Sequence, residues 1–207
     1  MKNDKILKLL SRLPAATIYE ASGKHGDMSP AIRQMVPGAR LFGPAFTVRC
    51  LPGDFAAVLR AIDHAKRGDV LVIDAGGSER VTALGGTSSL AARTKGLAGA
   101  VVNAACRDLD EIRDMKFPVY ALGASVRGTL RNHPGWLQVP VSVGGTVVSP
   151  GDLVVGDADG VVVVARGRLA QTAKKAAAQK KLEVARDRAV RGGASLIKMF
   201  HLESLEG

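Results

Sequence analysis

"GGTSSLAARTKGLAGAVVNAACRDLDE", Gly85 to Glu111, holds a glycine pair, a helix of small residues, an apolar run and two adjacent opposite charges. Thr87 and Ser88 offer hydroxyls to cap the helix, and Gly96 stops it. "LAGAVVNAACRD" (97–108) has no alternation, which suits a strand buried on both faces. It ends at Arg107-Asp108. Upstream, "DFAAVLRAIDHAKRGD" (54–69) repeats apolar residues at helical spacing: Phe55, Val58, Leu59, Ile62 and Ala65, with Asp54 able to cap the start. "DVLVIDAGG" (69–77) reads as a buried strand closed by a glycine turn. Downstream, "DLDEIRDMKF" is helical and "PVYALGA" is a strand. Residues 54–124 therefore alternate helix and strand three times, the rhythm of parallel strands joined by crossover helices.

The flanks differ. Residues 4–12 and "TIYEASGKHG" predict short helices. "ARLFGPAFTVRCL" is a strand interrupted by Gly43-Pro44, which suggests an edge or a bulge. After Arg127, short β-runs are split by Gly-Gly, Pro-Gly-Asp and Asp-Ala-Asp-Gly, all hairpin signals. Residues 166–190 form a long helix stopped by Gly192-Gly193. No repeat or Ser/Pro-rich linker divides the chain. The expectation is one domain over 1–207, with a core at about 13–165 and a helical C-terminal extension at about 166–200.

The chain has 207 residues, is 46% apolar and carries a net charge of +10. Residues 165–198 hold ten Lys/Arg against Glu183 and Asp187, so +8 of that charge lies in one segment. Such a segment is either a solvated helix face or a nucleic-acid surface. Cys50 and Cys106 lie in apolar runs without CxxC or Cys/His spacing, so buried free thiols in a reducing compartment are expected. The N-terminus lacks signal-peptide features, and no run is long enough to span a membrane. A cytoplasmic location follows as the expectation.

Ligands of α/β sheets bind beyond the carboxyl ends of the strands. Two strand ends converge there in this reading, at Asp74-Gly77 and at Arg107-Asp108, with the Gly85-Gly86-Thr87-Ser88 turn between them. A helix N-terminus favours anions. Arg107 presents a planar fork suited to a carboxylate. Asp108 offers hard oxygen to Mg²⁺ or Mn²⁺. A pocket for a small anion beside a divalent metal is one reading; a surface ion pair and a plain turn are the other. Asp54, Asp74 and Glu79 can be caps or solvated carboxylates. Lys95 and Lys116 read as solvent-facing, and His25, His64 and His133 as structural or exposed. No GxGxxG follows a strand.

The chain resembles the RraA-like family, which includes 4-hydroxy-4-methyl-2-oxoglutarate aldolases. The carrying stretches are "LFGPAFTV", "PGDFAAVLRAIDHAKRGDVLVIDAGG", "KGLAGAVVNAACRDLDEI", "VRGT" and "VPVSVGGTVVSPGDLVVGDADGVVVV". The family pattern of Asp or Gly, twenty residues, Arg-Asp, two residues, then Glu or Asp is matched by Gly86, Arg107, Asp108 and Glu111. The resemblance implies an α/β fold with a swivelling β/β/α, phosphohistidine-domain-like core and a long C-terminal helix. It implies a homotrimer or a hexamer with sites between subunits. It also implies a metal-dependent lyase that cleaves a 4-hydroxy-2-oxo acid to pyruvate and decarboxylates oxaloacetate on the side. Gly85, Gly86, Thr87 and Ser88 would cradle the pyruvoyl group. Arg107 would bind the substrate, and Asp108 would ligate Mg²⁺ or Mn²⁺ directly. Glu111, and Glu183 from a neighbouring subunit, would approach the metal through water. Gly86 departs from the acidic residue many of these aldolases carry, and Thr87 and Ser88 replace bulkier apolar residues. The rival reading is a non-catalytic regulator, since the family takes its name from an inhibitor of an RNA-degrading endonuclease. Nucleic acid is the less favoured partner. A methyltransferase is excluded because no glycine-rich methyl-donor loop precedes an acidic strand end.

Overall fold

The computed structural model describes residues 3–205. In chain order its elements are α1 (Asn3–Leu10), α2 (Ala15–Ser22), β1 (Arg33–Gln34), β2 (Leu41–Arg49), α3 (Ala56–His64), β3 (Val70–Leu84), α4 (Gly86–Lys95), β4 (Gly99–Cys106), α5 (Leu109–Asp114), β5 (Val119–Ala124), β6 (Trp136–Leu137), β7 (Val141–Val143), β8 (Thr146–Val148), β9 (Leu153–Asp157), β10 (Gly160–Val164), α6 (Leu169–Arg191) and α7 (Leu196–Phe200). The fold is mixed α/β with a long C-terminal helix, as expected.

The main sheet runs β1-β5-β4-β3-β2-β9-β10, with β6 also on β2. Strands β2, β3, β4 and β5 are parallel, as the helix–strand rhythm requires. Leu71 and Ile73 face α3, α4 and α5, while Val70 and Val72 face the β7–β8 side. That two-residue alternation with both faces covered explains why these strands read as unbroken apolar runs. A third apolar cluster seats α1, α2 and the start of α6 on β9 and β10 through Ile18, Leu153, Val162 and Ala173.

Two expectations about strands need correction. Strand β2 is interior, flanked by β3 and β9. Its first four residues pair with β9 and Ala45 to Arg49 pair with β3, so Pro44 falls at the seam between two ladders. The missing N–H is tolerated there without an edge. Neither does Gly76-Gly77 close β3. Both glycines take positive φ, 85° and 73°, and the strand continues through register shifts to Leu84. A bulged excursion replaces the predicted turn. The strand ends that meet at the carboxyl edge are thus Leu84 and Cys106, which are paired in register.

Helix signals held better. Gly23 and Gly96 close α2 and α4 in the left-handed conformation, and Gly192 caps α6. The hairpins fall at Gly144-Gly145 and Ala158-Asp159. Beyond Ala176, α6 is largely exposed, and Lys174, Lys175, Lys181, Arg186, Arg188 and Arg191 lie on its solvated surface. Cys50 and Cys106 are buried free thiols. Among the described residues no helix is long and apolar enough to cross a membrane.

Candidate active site

The carboxyl edge of the sheet opens into a cavity of about 520 Å³. Gly85 to Ser88, Arg107 and Asp108 all line it, so one site gathers the residues that the sequence singled out at both ends of one crossover unit. The volume suits a small metabolite.

Backbone geometry explains the gathering. The N–H of Arg107 donates to the Leu84 carbonyl at 3.1 Å, which brings the turn after β4 beside the turn after β3. Gly85 is the residue before α4, not Thr87 as the hydroxyl pattern suggested. The Ser88 hydroxyl, one turn in, accepts from the Gly85 N–H at 3.0 Å and donates to the Gly85 carbonyl at 2.9 Å. Thr87 is exposed and Ser88 buried.

Asp108 adopts φ 59°, a left-handed conformation that costs a non-glycine residue about 1–2 kcal/mol. Its Oδ2 accepts from the Gly86 N–H at 2.9 Å, so the carboxylate itself occupies the first free amide of α4. Helix geometry leaves the Thr87 and Ser88 N–H groups without intrahelical acceptors. Those two amides remain for a second anion. Arg107 Nε lies 3.6 Å from Asp108 Oδ2, with the two side chains 45% and 38% exposed. A pair that open to water adds about 0–1 kcal/mol to stability. Asp is among the few residues that enter this conformation readily, and here it brings the carboxylate to the Gly86 N–H.

Glu111 sits one turn into α5, and its carboxylate lies over Gly86. A Cβ at Gly86 would meet Glu111 Oε2 at 2.1 Å and Asp108 Cβ at 3.1 Å. Two carboxylates therefore crowd one glycine. Their oxygens fit a hard divalent cation, since Mg²⁺ commonly takes one or two carboxylates and keeps several waters. Among the described residues no group of three or more His, Cys, Asp or Glu side chains forms an all-protein cage.

Glu183 is not in this cavity. It lies on α6, where both carboxylate oxygens are 3.1 Å from the Thr17 hydroxyl and Oε2 is 3.3 Å from Lys180 Nζ. Asp74 is also elsewhere: its Oδ1 accepts from the Gly76 N–H and the Asn103 amide. Lys95 is exposed, but its ammonium donates to the Ile62 and Asp63 carbonyls and closes the end of α3.

Phe55, Leu59, Thr129 and Arg131 also line the cavity, and the sequence did not mark them as site residues. Phe55 and Leu59 were expected on the core face of α3. Val58, Ile62 and Ala65 are buried as that spacing predicts and Phe55 is partly buried against the same core, but Leu59 is 38% exposed and lines the cavity. A helical apolar stripe wide enough for both roles was visible, but its division between core and cavity was not. Asp54 is buried and lies one residue before Phe55, the N-cap of α3. Its Oδ1 accepts from Ala56 N–H at 2.9 Å, and its Oδ2 from Asn132 and His133 N–H at 2.6 and 2.9 Å. Burial pushes this carboxyl up, yet the three amides and the His133 charge outweigh it and hold it below the ordinary carboxylate range.

A family model described as "RraA-like: Aldolase/RraA" matches residues 15–163. The chain belongs to the RraA-like family. An RraA-like protein of Halalkalibacterium halodurans, provisionally named 4-hydroxy-4-methyl-2-oxoglutarate aldolase, is 35% identical over 91% of this chain and 90% of its own length. A solved structure from Pseudomonas syringae pv. tomato superposes with a TM-score of 0.82 at 28% identity, covering 94% of this chain and 96% of that one. The RNA-processing inhibitor RraA from Thermus thermophilis superposes with a TM-score of 0.68 at 30% identity, over 73% of this chain and 92% of its own. RraA-like relatives thus carry both aldolase and inhibitor names.

Proposed function

We propose that this RraA-like chain is a lyase that cleaves a 4-hydroxy-2-oxo acid of the 4-hydroxy-4-methyl-2-oxoglutarate type to pyruvate, with oxaloacetate decarboxylation as a side activity. The observation that carries this reading is the meeting of Arg107, Asp108 and the α4 N-terminus in one cavity. The aldolase name of the relative from Halalkalibacterium halodurans supports it.

The chemistry follows from the residues. Cleavage breaks the C3–C4 bond as the C4 hydroxyl loses its proton and becomes a carbonyl. The bonding pair moves to C3 and spreads onto the C2 oxygen as an enolate, which is then protonated to pyruvate. Arg107 holds the 2-oxo acid by its carboxylate or C2 oxygen through charge-assisted bonds. The amides of Thr87 and Ser88 point from the helix terminus toward the same developing negative charge. Asp108 and Glu111 would hold a divalent cation, Mg²⁺ or Mn²⁺, and when bound it supplies Lewis-acid stabilisation of the enolate. Phe55 and Leu59 give the cavity apolar surface beside these polar groups. Decarboxylation of oxaloacetate yields the same enolate, so the same groups serve it.

The reading extends to one RraA-like domain in a cytoplasmic homotrimer or dimer of trimers. In that assembly Glu183 would approach a neighbour's metal through water. The alternative is a regulator like the inhibitor from Thermus thermophilis, in which the cavity binds without turnover. The deciding assay couples pyruvate release to a dehydrogenase, with Mg²⁺, with EDTA, and with Asp108→Asn. Asparagine tolerates the left-handed conformation and can still accept from Gly86 N–H, so it removes charge and little else. The lyase reading requires release that EDTA abolishes and the variant loses by about 100-fold or more. Turnover absent with every divalent metal supports the regulator, and full activity of Asp108→Asn removes that carboxylate from the mechanism.

A further inference from the structure

The cavity contains one carboxylate, Asp108, and two guanidiniums, Arg107 and Arg131. Arg107 is paired with Asp108. Among the described residues no carboxylate lies within ion-pairing distance of Arg131. Its Cζ stands 5.3 Å from the centroid of the Phe55 ring, a stacking contact that orients the fork without neutralising it. Among the side chains that line the cavity, Arg131 is therefore the guanidinium without a carboxylate partner.

The loop carrying Arg131 is anchored on both sides of that residue. Before it, Leu130 N–H donates to the Gly53 carbonyl at 2.8 Å and Phe55 N–H donates to the Leu130 carbonyl at 3.1 Å. After it, Asn132 and His133 N–H groups converge on one oxygen of Asp54. Asp54 is only 7% exposed, although it carries a charge. Burying a carboxylate to hold two consecutive loop amides makes sense where the residue between the anchors must be positioned.

We infer that Arg131 binds the distal carboxylate of a 2-oxo dicarboxylic acid, while Asp54 is a positioning residue that holds the Arg131 loop against the start of α3. Arg107 and the α4 amides take the 2-oxo acid end; Arg131 takes the other. This inference rests on the lyase reading for the orientation of the ligand, but not for the existence of the subsite. It makes Arg131 the residue that separates dicarboxylic from monocarboxylic substrates of the same carbon skeleton.

The test uses binding, so it does not depend on turnover. Titration calorimetry in Mn²⁺ compares 2-oxoglutarate with 2-oxopentanoate, which share the 2-oxo acid head and five-carbon chain and differ at the far carboxylate. The intact protein should prefer 2-oxoglutarate by about 10- to 100-fold, the range of one charge-assisted pair. Arg131→Ala should erase that preference while weakening 2-oxopentanoate by at most about 3-fold, and Arg131→Lys should keep part of it. Asp54→Asn should shrink the preference in the same direction, because the amide replaces an oxygen that accepts two N–H bonds. A purely structural role for either residue would weaken both acids equally, and that result overturns the inference. So does equal binding of the two acids by the intact protein, or binding of neither. Selective binding that Arg131→Ala removes, in a protein that releases no pyruvate from any hydroxy acid, retains the subsite and rejects the lyase reading.

Discussion

Gly86→Ala isolates the carboxylate of Glu111 without touching it. The new Cβ would lie 2.1 Å from Glu111 Oε2, 3.0 Å from its Cδ and 3.1 Å from Asp108 Cβ. Ordinary contact for a methyl group begins near 3.4 Å, so something must move. Asp108 is held by its backbone conformation and by the bond from Gly86 N–H, and it can give only a few tenths of an ångström. Glu111 is exposed and unbranched, so it is the group that swings away. The fold should barely register the change. Gly86 opens α4, where alanine is favoured by about 0.5–1 kcal/mol, and that gain offsets the residual crowding. The expected stability change is within about 1 kcal/mol in a denaturant titration. The expected loss in kcat/KM for pyruvate release is about 10- to 100-fold, with a raised Mg²⁺ requirement, the range for displacing an outer-sphere carboxylate. Glu111→Gln should cost about as much, and the double variant no more than either alone, because both changes remove one interaction. Full activity of Gly86→Ala refutes the role given to Glu111. Multiplying losses in the double variant show that Gly86 acts by some other route.

Two further outcomes follow from buried titratable groups. Asp54 is held below its ordinary pKa of 3.8, so its stabilisation is complete above that value and is lost as pH falls through the lower folded one. The acid limb of stability should be steeper below about pH 4 in the parent than in Asp54→Asn, and identical limbs would contradict the bonding described. Burial pushes the Cys50 thiol up to about 12 and the Cys106 thiol up to about 11, with Asp54 and Asp74 adding to the shift at Cys50. Both should resist a disulfide reagent at pH 8 and react together on unfolding; fast labelling of the native protein would show that one is open to solvent.

The parallel core was legible because periodicity and apolar runs are set locally: α3, β4 and β5 lie where their patterns put them. Pro44 and Gly76-Gly77 misled for a shared reason. Each is a breaker by local rules, yet each lies where strand pairing changes, and pairing is a property of the neighbours. The near wall of the site was legible in Gly86, Arg107, Asp108 and Glu111, since a turn and a strand end on one crossover unit must meet at the sheet's carboxyl edge. The rest of the lining was not. Phe55 and Leu59 look like core on a helical wheel, and nothing adjacent in sequence marks Arg131 as reaching them from a loop 76 positions after Phe55. The bonds from Asn132 and His133 N–H to the Asp54 carboxylate hold that loop in place, and their span along the chain hides them.

In the proposed lyase, Arg107 and Asp108 jointly hold a 2-oxo acid and a divalent cation at the mouth of β4. A crystal soaked with pyruvate and Mn²⁺ tests it most directly. The expected result is an anomalous manganese peak against the Asp108 carboxylate, with pyruvate bonded to Arg107 and to the amides of Thr87 and Ser88. Manganese bound elsewhere, or Arg107 and Asp108 turned to solvent while pyruvate lies outside the cavity, would contradict it.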